Sequence, residues 1–401
     1  MIHLLKFGYT IKNIKFHPLL IACCICLSCS NSKSKQSGSN KYELKEVVGK
    51  DLSFRINDDT KFIFSSLFPY TDKSGKEYLT FLSHMKNLIL FYDLQTGKYI
   101  FDVKLETEGP DGVGIAQGYH IEDLDNIYIA STLPGLTKVD TSGNKKQFIE
   151  YGQTNNGHYV VPNFTSSSYI YAPAIIHAGK IYITQLPYSG SKTSAIPVSV
   201  AIDTISQTFE ELPFRFPPII DDKELAGTVI SIQFSREFND KQLIYSFFMD
   251  NNIYVTDIET NEAKKIPAQS KYINDFQFLK FTDDREKVYK ALLESSYYYN
   301  ILYDKYRNIY YRFAIIGSEV TKKPEYSFFD IYANGFIQFS VIILDKDFNI
   351  IGETLFPKYT YNPSIAFVHK DGLYISDSHI LNPTFDENKL SFKCFALKEC
   401  L

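Results

Sequence analysis

Apolar and polar residues alternate around short turns along most of this chain, which is the pattern of half-buried β-strands. Residues 125–149, DNIYIASTLPGLTKVDTSGNKKQFI, predict a short apolar strand around Tyr128, a strand that reaches Val139, and a third strand that ends at Ile149. A tight turn begins at Asp140, whose carboxylate can accept backbone hydrogen bonds. One such hairpin cannot bury its own apolar face, so the pattern predicts a larger sheet.

This layout recurs six times. Each copy has a tyrosine in an apolar strand that follows turn residues, and the tyrosines are 50 to 65 residues apart: Tyr78, Tyr128, Tyr182, Tyr245, Tyr310 and Tyr374. In the first five copies a further apolar strand leads to an aspartate and a tight turn, at Asp93, Asp140, Asp203, Asp257 and Asp345. A self-similar period of this length, with about four strands in each copy, is typical of β-propeller blades.

The predicted fold is an all-β, six-bladed β-propeller over residues 42–401. Residues 41–56 supply a strand that has no blade of its own, and residues 390–397 end the sixth copy. We therefore expect the N- and C-terminal strands to pair and close the ring, which removes free sheet edges. The alternative is a pair of β-sandwiches, although these would not require a repeat near 60 residues.

Composition agrees with a globular β-protein. The chain is 44% hydrophobic and 22% charged, with 32 Phe, 30 Tyr and no Trp, and Phe and Tyr suit a half-buried pleated surface. The formal charge is −4, and residues 1–28 contain three lysines and no acid, so their removal takes the charge to −7. A mildly acidic surface gives no electrostatic footprint for nucleic acid, so no nucleic-acid partner is expected.

The N-terminus predicts a lipoprotein signal peptide over residues 1–28. A basic region ends at Lys15, and the apolar run Phe16–Leu27 has 12 residues, against the ~20 that a membrane-spanning helix needs. Cys26-Leu27-Ser28-Cys29 resembles a lipobox, the signal whose cysteine becomes the acylated first residue of a bacterial lipoprotein. We therefore expect lipidation at Cys29, followed by a flexible tether over residues 29–41.

Two alternatives to this anchor remain open. The segment that ends at Cys23 matches the lipobox pattern better, but it would leave an apolar run of about half the usual length. The protein could instead be secreted in soluble form.

Of the six cysteines, only Cys394 and Cys400 lie in the predicted propeller domain. Cys394 alternates in phase with a core-facing set, and a disulfide between the two would need a turn.

Longer insertions lie between the copies, and such loops are where a propeller carries its function. They span residues 153–168, 186–197 and 214–224. Residues 283–294 predict a helix, because Asp283 and Glu286 form a capping pattern and three apolar residues share one side.

Five residues are candidates for ligand binding: Asp111, His120, His158, Arg307 and Arg312. Asp111 lies in the Gly-rich loop 108–114, which lacks the Lys-Ser/Thr pair of a phosphate loop, so the alternatives are a crossover between blades and a binding loop. Arg307 and Arg312 are interleaved with tyrosines, which predicts either a sugar- or peptide-binding platform or packing between blades. The histidines show no spacing typical of a metal motif, but a propeller can bring distant residues together at its channel. No catalytic residue, metal site or cofactor is assigned.

The chain resembles a family of Bacteroidetes lipoproteins that carry a domain of unknown function, with a six-bladed, TolB-like β-propeller. The resemblance rests on the lipobox-like Cys29, the loop 108–114 and the segment 304–313, DKYRNIYYRF, and it covers nearly all of the mature chain. It implies the fold and a location in the cell envelope, and it brings no activity and no catalytic residues.

The expected function is therefore that of a lipid-anchored module of the Gram-negative cell envelope, with the outer membrane as the expected location. The N-terminal lipid would attach it to the membrane, and the propeller would bind a protein or a glycan as a binding or scaffold module. The alternative is a carbohydrate-active or other envelope enzyme whose acids converge at the mouth of the channel.

Overall fold

The computed structural model describes residues 40–56, 66–162, 172–187, 192–219, 232–280, 282–320 and 324–400. All of its strands belong to one compact unit, Ser39–Leu401. The predicted signal peptide, Cys29, Cys23 and most of the tether lie outside the described residues, as do parts of the three predicted insertions.

The first two strands are β1 (Tyr42–Glu46) and β2 (Leu52–Arg55). Four four-stranded antiparallel sheets of consecutive strands follow, which we call units 1 to 4. Unit 1 is β3 (Leu67–Thr71), β4 (Glu77–Ser83), β5 (Leu88–Asp93) and β6 (Tyr99–Lys104), and unit 2 is β7 (Ala116–Asp123), β8 (Asn126–Ser131), β9 (Gly135–Val139) and β10 (Lys145–Glu150). Unit 3 is β11 (Ile175–His177), β12 (Lys180–Thr184), β13 (Ser199–Asp203) and β14 (Phe209–Glu211), and unit 4 is β15 (Phe234–Phe238), β16 (Gln242–Phe247), β17 (Asn252–Asp257) and β18 (Ala263–Pro267).

The remaining described strands form one nine-stranded sheet that includes the first two strands and the last strand. Unit 5 is β19 (Tyr297–Asp304), β20 (Ile309–Ile315), β21 (Phe339–Leu344) and β22 (Ile350–Leu355), and unit 6 is β23 (Asn362–His369), β24 (Gly372–Ser376) and β25 (Lys389–Glu399). Strands β1 and β2 both pair antiparallel with β25, and β1 also meets β22 in parallel, Tyr42 opposite Gly352. A Cβ atom at Gly352 would lie 2.0 Å from the Tyr42 carbonyl oxygen, so this contact between β1 and β22 requires glycine.

The recurring sequence pattern corresponds to the recurring strands. Each of the six tyrosines lies in the second strand of its unit and is buried. The aspartates cap the turns between the third and fourth strands: Asp93 accepts a hydrogen bond from the Thr96 amide at 2.8 Å, and Asp140 from the Ser142 amide at 2.9 Å. The predicted turns are confirmed, and the described part of the chain is a mostly β, propeller-like fold.

Two α-helices in the described part of the chain lie outside the sheets. Helix α1 (Arg285–Glu294) matches the predicted helix, but its N-cap is Asp284, whose carboxylate accepts from the Lys287 amide, so the predicted cap at Asp283 is wrong by one residue. Helix α2 (Phe328–Ala333) was not predicted; Ser327 begins it with a capping box. A 3-10 turn spans Thr193–Ala195. The helices found in the described ranges are all too short or too polar to cross a bilayer.

The two C-terminal cysteines are both free thiols. Cys394 is fully buried in a core cluster, as its alternation predicted. Strand β25 runs from Lys389 to Glu399, so the turn that a disulfide between Cys394 and Cys400 would need is not present there.

Candidate functional site

The first strands of several units converge on one cavity, which we call the central cavity. Its volume is about 240 Å³. The lining residues come mainly from the first half of β3 and from the C-terminal parts of β15, β19 and β23: Leu67, Phe68, Pro69, Pro173, Glu237, Leu302, Tyr303, Ala366, Phe367 and Val368. Unit 3 contributes only Pro173, which precedes its first strand. The wall is largely apolar, and Glu237 is the one acid among the described residues that line it.

Glu237 is held in this wall by two backbone amides. The Phe238 amide donates to Oε1 at 2.9 Å and the Tyr303 amide donates to Oε2 at 3.2 Å. Although the residue as a whole is only half-buried, protein atoms surround the carboxyl group, and this burial raises its pKa to about 7 against the two amides and Arg236, which lower it. A carboxyl group with a pKa near neutrality on a cavity wall is typical of a functional site.

The central cavity adjoins a second space, the mouth pocket, of about 190 Å³. The two share Pro69, Tyr303 and Val368. The mouth pocket lies where β3, β19 and β23 end, and its wall is rich in aromatic and charged residues: Tyr70, Tyr78, Tyr303, Tyr306, Lys305, Glu77 and His369. An aromatic pocket with a few convergent polar groups is the usual form of a small-molecule site.

The side pocket, of about 330 Å³, adjoins the mouth pocket through Glu77, Leu94 and His369. The Nε2 atom of His369 lies 3.1 Å from Glu77 Oε1, and Nζ of Lys370 lies 3.1 Å from Glu77 Oε2. On the other side of the ring, His369 Nδ1 is 3.5 Å from an Asp371 oxygen, an ion-pair distance that is not a hydrogen bond.

The acids Glu77 and Asp371 of the side pocket are each paired with basic side chains. Burial alone would raise the pKa of Glu77, but the hydrogen bonds from His369 and Lys370 outweigh it and lower the pKa. Asp371 is paired in addition with Lys50, at 3.2 Å. The carboxylate of Glu77 is therefore held ionised, and both acids are paired, which suits recognition of a polar ligand better than proton transfer.

Arg307 is the predicted candidate that lies beside this site. Its guanidinium donates to the Lys370 carbonyl at 2.8 Å and to Asp304 Oδ2 at 3.0 Å. Arg307 thus fixes the turn that carries His369 and Lys370. Its place is that of a positioning residue at the edge of the site.

Arg312 lies in a different environment. It is fully buried, its guanidinium carbon is 3.4 Å from the centre of the Tyr298 ring, and it donates to Ser246 and to the carbonyls of residues 250, 251, 252 and 268. Burial lowers its pKa to about 10. These contacts favour the alternative given above, packing between sheets, over ligand binding.

The two histidine candidates are also apart from each other. His120, in β7, packs 5.0 Å from Phe68 and so lies behind the wall of the central cavity; burial lowers its pKa to about 4. His158 pairs with buried Glu211, Nδ1 to Oε1 at 2.6 Å. Arg215 binds the other oxygen of Glu211 at 2.7 Å, so this cluster holds a loop in place.

Asp111 is exposed, and its Oδ1 accepts from the Lys145 amide at 3.0 Å, where strand β10 begins. The loop that contains it therefore stabilises the edge of unit 2. The five predicted residues lie in five separate environments. Sequence reasoning missed Glu237, Glu77 and Tyr306, and it assigned His369 no role.

No group of three or more His, Cys, Asp or Glu side chains in the described part of the chain is arranged to hold a metal ion.

The chain is similar to several solved structures. A crystal structure of a DUF4221 family member from Bacteroides vulgatus has a TM-score of 0.79 and 29% identity, covering 90% of this chain and 99% of that chain. A protein from Bacteroides fragilis that is named as an exported protein has a TM-score of 0.49 and 10% identity, over 90% and 96% of the two chains. The extracellular domain of a one-component system from B. thetaiotaomicron has a TM-score of 0.41 and 11% identity, covering 90% of this chain and 39% of that chain.

A search of curated proteins finds no match. The sequence profile of DUF4221, a domain of unknown function, matches residues 43–355. The resemblance to a family with a domain of unknown function is therefore confirmed, and the chain belongs to the DUF4221 family.

Proposed function

We propose that this protein is a lipid-anchored, six-bladed β-propeller of the Gram-negative cell envelope that binds a glycan or a protein at the mouth pocket. Units 1 to 6 would be the six blades, and the pairing of β1 and β2 with β25 would close the ring. The anchor would be a lipid on Cys29, which would hold the propeller at the outer membrane.

The observation that carries the binding role is that the mouth pocket and the side pocket adjoin each other and share Glu77 and His369. Together they present aromatic rings, such as Tyr70 and Tyr306, next to the paired polar side chains of Glu77, His369 and Lys370. Aromatic rings and charged hydrogen-bonding groups on one surface are what glycan and peptide recognition uses.

The geometry favours binding over the enzyme alternative. Most glycoside hydrolases use two carboxyl groups that flank the scissile bond. Among the described lining residues, the central cavity has only Glu237, and the mouth pocket has only Glu77, which is paired with His369 and Lys370. The other two acids of the side pocket are also paired, Asp371 with Lys50 and Asp51 with Lys393. This arrangement does not provide the acid and the base of that mechanism.

The binding role is tested with Tyr306→Ala and a matched control, Tyr159→Ala. Both tyrosines are exposed, 48% and 59%, and Tyr159 does not line these pockets. On an array of defined envelope oligosaccharides and peptides, we expect the wild type and Tyr159→Ala to bind the same ligand and Tyr306→Ala to bind it at least about tenfold more weakly, since aromatic anchors dominate such sites. Equal binding by Tyr306→Ala, or turnover of the bound ligand, would contradict the proposal.

The anchor is tested separately with Cys29→Ser. Metabolic labelling with a fatty-acid analogue is expected to mark the wild type and not the variant, and the variant is expected to leave the membrane fraction. Label that persists in Cys29→Ser would refute lipidation at this residue, and label lost only in Cys23→Ser would assign the anchor to Cys23.

A further inference from the structure

The central cavity has a chemistry that differs from that of the mouth pocket. Its wall is formed by apolar side chains, including Leu67, Leu302 and Val368, and by the ring of Phe68. Glu237 is the only acid, and no lysine or arginine is among the described lining residues. The cavity therefore offers one anionic group in an otherwise apolar space.

Glu237 also retains acceptor capacity. A carboxylate has about four lone-pair sites, and the amides of Phe238 and Tyr303 account for two hydrogen bonds. Its neighbour Arg236 is fully buried, but the guanidinium donates elsewhere, to Ser199 Oγ, the Pro173 carbonyl and the Tyr182 carbonyl. The carboxylate therefore faces the cavity without a cationic hydrogen-bond partner from the described residues around it.

A buried carboxylate without such a partner is costly, and an opposite charge that enters the cavity removes that cost. An aromatic ring nearby stabilises the same kind of ligand, because a cation is attracted to the face of a ring. A ligand anion would instead meet like charge. Charge complementarity thus selects a cation, and the apolar walls select one with a hydrocarbon body.

We propose that the central cavity binds a small organic ammonium ion, with its charged nitrogen on Glu237 and its hydrocarbon body against Phe68 and Leu302. The volume of about 240 Å³ is below the ~300–1,000 Å³ of drug-sized sites, so a single ring or a short chain fits. This inference goes beyond the proposed function, because the mouth pocket can bind its ligand while the central cavity is empty.

The test uses the full-length chain in detergent and benzylamine as the probe. Benzyl alcohol is the neutral probe of the same shape, and benzoate is the anionic one. By titration calorimetry at pH 8, we expect benzylamine to bind at least about tenfold more tightly than either, a difference of about 1.4 kcal/mol. Equal affinity for benzylamine and benzyl alcohol would overturn the inference.

Two variants assign the binding to the carboxylate. Glu237→Gln is expected to lose at least about tenfold in benzylamine affinity and to leave benzyl alcohol binding unchanged, whereas the exposed control Glu262→Gln changes neither. Unchanged benzylamine binding by Glu237→Gln would overturn the proposal. Failure of Tyr306→Ala to weaken glycan or peptide binding would count against the proposed function alone.

A pH series on the wild type needs no variant. The charged or titratable side chains beside Glu237 are Arg236, Tyr303 and Tyr310; burial lowers the pKa of Arg236 to about 10 and raises the pKa values of both tyrosines. Between pH 6 and 8, Arg236 stays protonated and both tyrosines stay neutral, while Glu237 ionises. We expect benzylamine affinity to rise about tenfold over this range, and an affinity that stays flat would contradict the role of Glu237.

Discussion

Replacing Glu237 by glutamine tests the raised pKa of this residue through the stability of the fold. Burial raises the pKa of Glu237 from 4.5 to about 7, so the folded state holds a proton that the unfolded state releases. This contribution to stability is fully present below pH 4.5 and is lost as the pH rises through 7. Glu237→Gln has no proton to release, so its stability lacks this dependence.

The magnitude follows from the size of the pKa change. Each pKa unit corresponds to about 1.36 kcal/mol, so a rise from 4.5 to about 7 corresponds to an upper limit of about 3 kcal/mol. Because the residue is only half-buried, water in the cavity reduces this figure, and we expect about 1–3 kcal/mol. Any fixed cost of the substitution, such as the loss of one acceptor oxygen, is the same at both pH values and cancels.

The assay is urea unfolding of the wild type, Glu237→Gln and the exposed control Glu262→Gln at pH 5 and pH 8. Between these two values, the free energy of unfolding of the wild type is expected to fall by about 1–3 kcal/mol relative to Glu237→Gln. The control is expected to follow the wild type. If the difference between wild type and Glu237→Gln is the same at both pH values, the carboxyl group is not held protonated and the reasoning fails.

Three further predictions concern the contacts that hold the site. Gly352→Ala places a Cβ 2.0 Å from the Tyr42 carbonyl and is expected to lower the free energy of unfolding by at least about 2 kcal/mol. In the control Gly152→Ala the nearest contact is at 3.6 Å, so the expected loss is less than about 1 kcal/mol. Thermal unfolding compares the two variants. Arg312→Ala leaves buried carbonyls without a donor and is expected to cost about 3–5 kcal/mol in urea unfolding. The contacts that lower the pKa of Glu77 from its ordinary value of 4.5 stabilise the fold above that pH, and this stabilisation is lost as the pH falls. The free energy of unfolding that Glu77→Gln loses relative to wild type should therefore shrink between pH 7 and pH 3.

The strands were predictable because the signals that make them are local. An apolar strand with a buried tyrosine, followed by an aspartate that caps a later turn of the same unit, is encoded within 12 to 35 residues and repeats. Helix α2 was missed because its six residues are too few for a helical period to show. Its capping box, Ser327 with Asp330, is the signal that could have revealed it.

The site was much less predictable, because the environment of each side chain comes from other units. Glu237 is one of 46 acidic residues, and what distinguishes it is the amide of Tyr303, 66 residues away, and an apolar wall from units 1, 5 and 6. Arg307 and Arg312 looked equivalent in sequence. They differ because Arg307 lies in a turn beside Lys370, whereas Arg312 points from a second strand into the neighbouring sheet.

The side pocket lies beside the pairing of β2 with β25, and this links binding to the stability of that pairing. Lys50 and Leu52, next to and within β2, line it together with His369 and Tyr374 of unit 6 and its turns. Because β2 is held in place through its pairing with β25, the pocket is complete only while the chain ends are paired. A ligand there must therefore stabilise that pairing by mass action, by about 2.7 kcal/mol at 100 times its dissociation constant. A substitution that weakens the pairing is expected to weaken binding in the side pocket without changing a residue that lines it. Phe54→Ala is such a substitution, because Phe54 is a fully buried residue of β2 opposite Leu390 of β25.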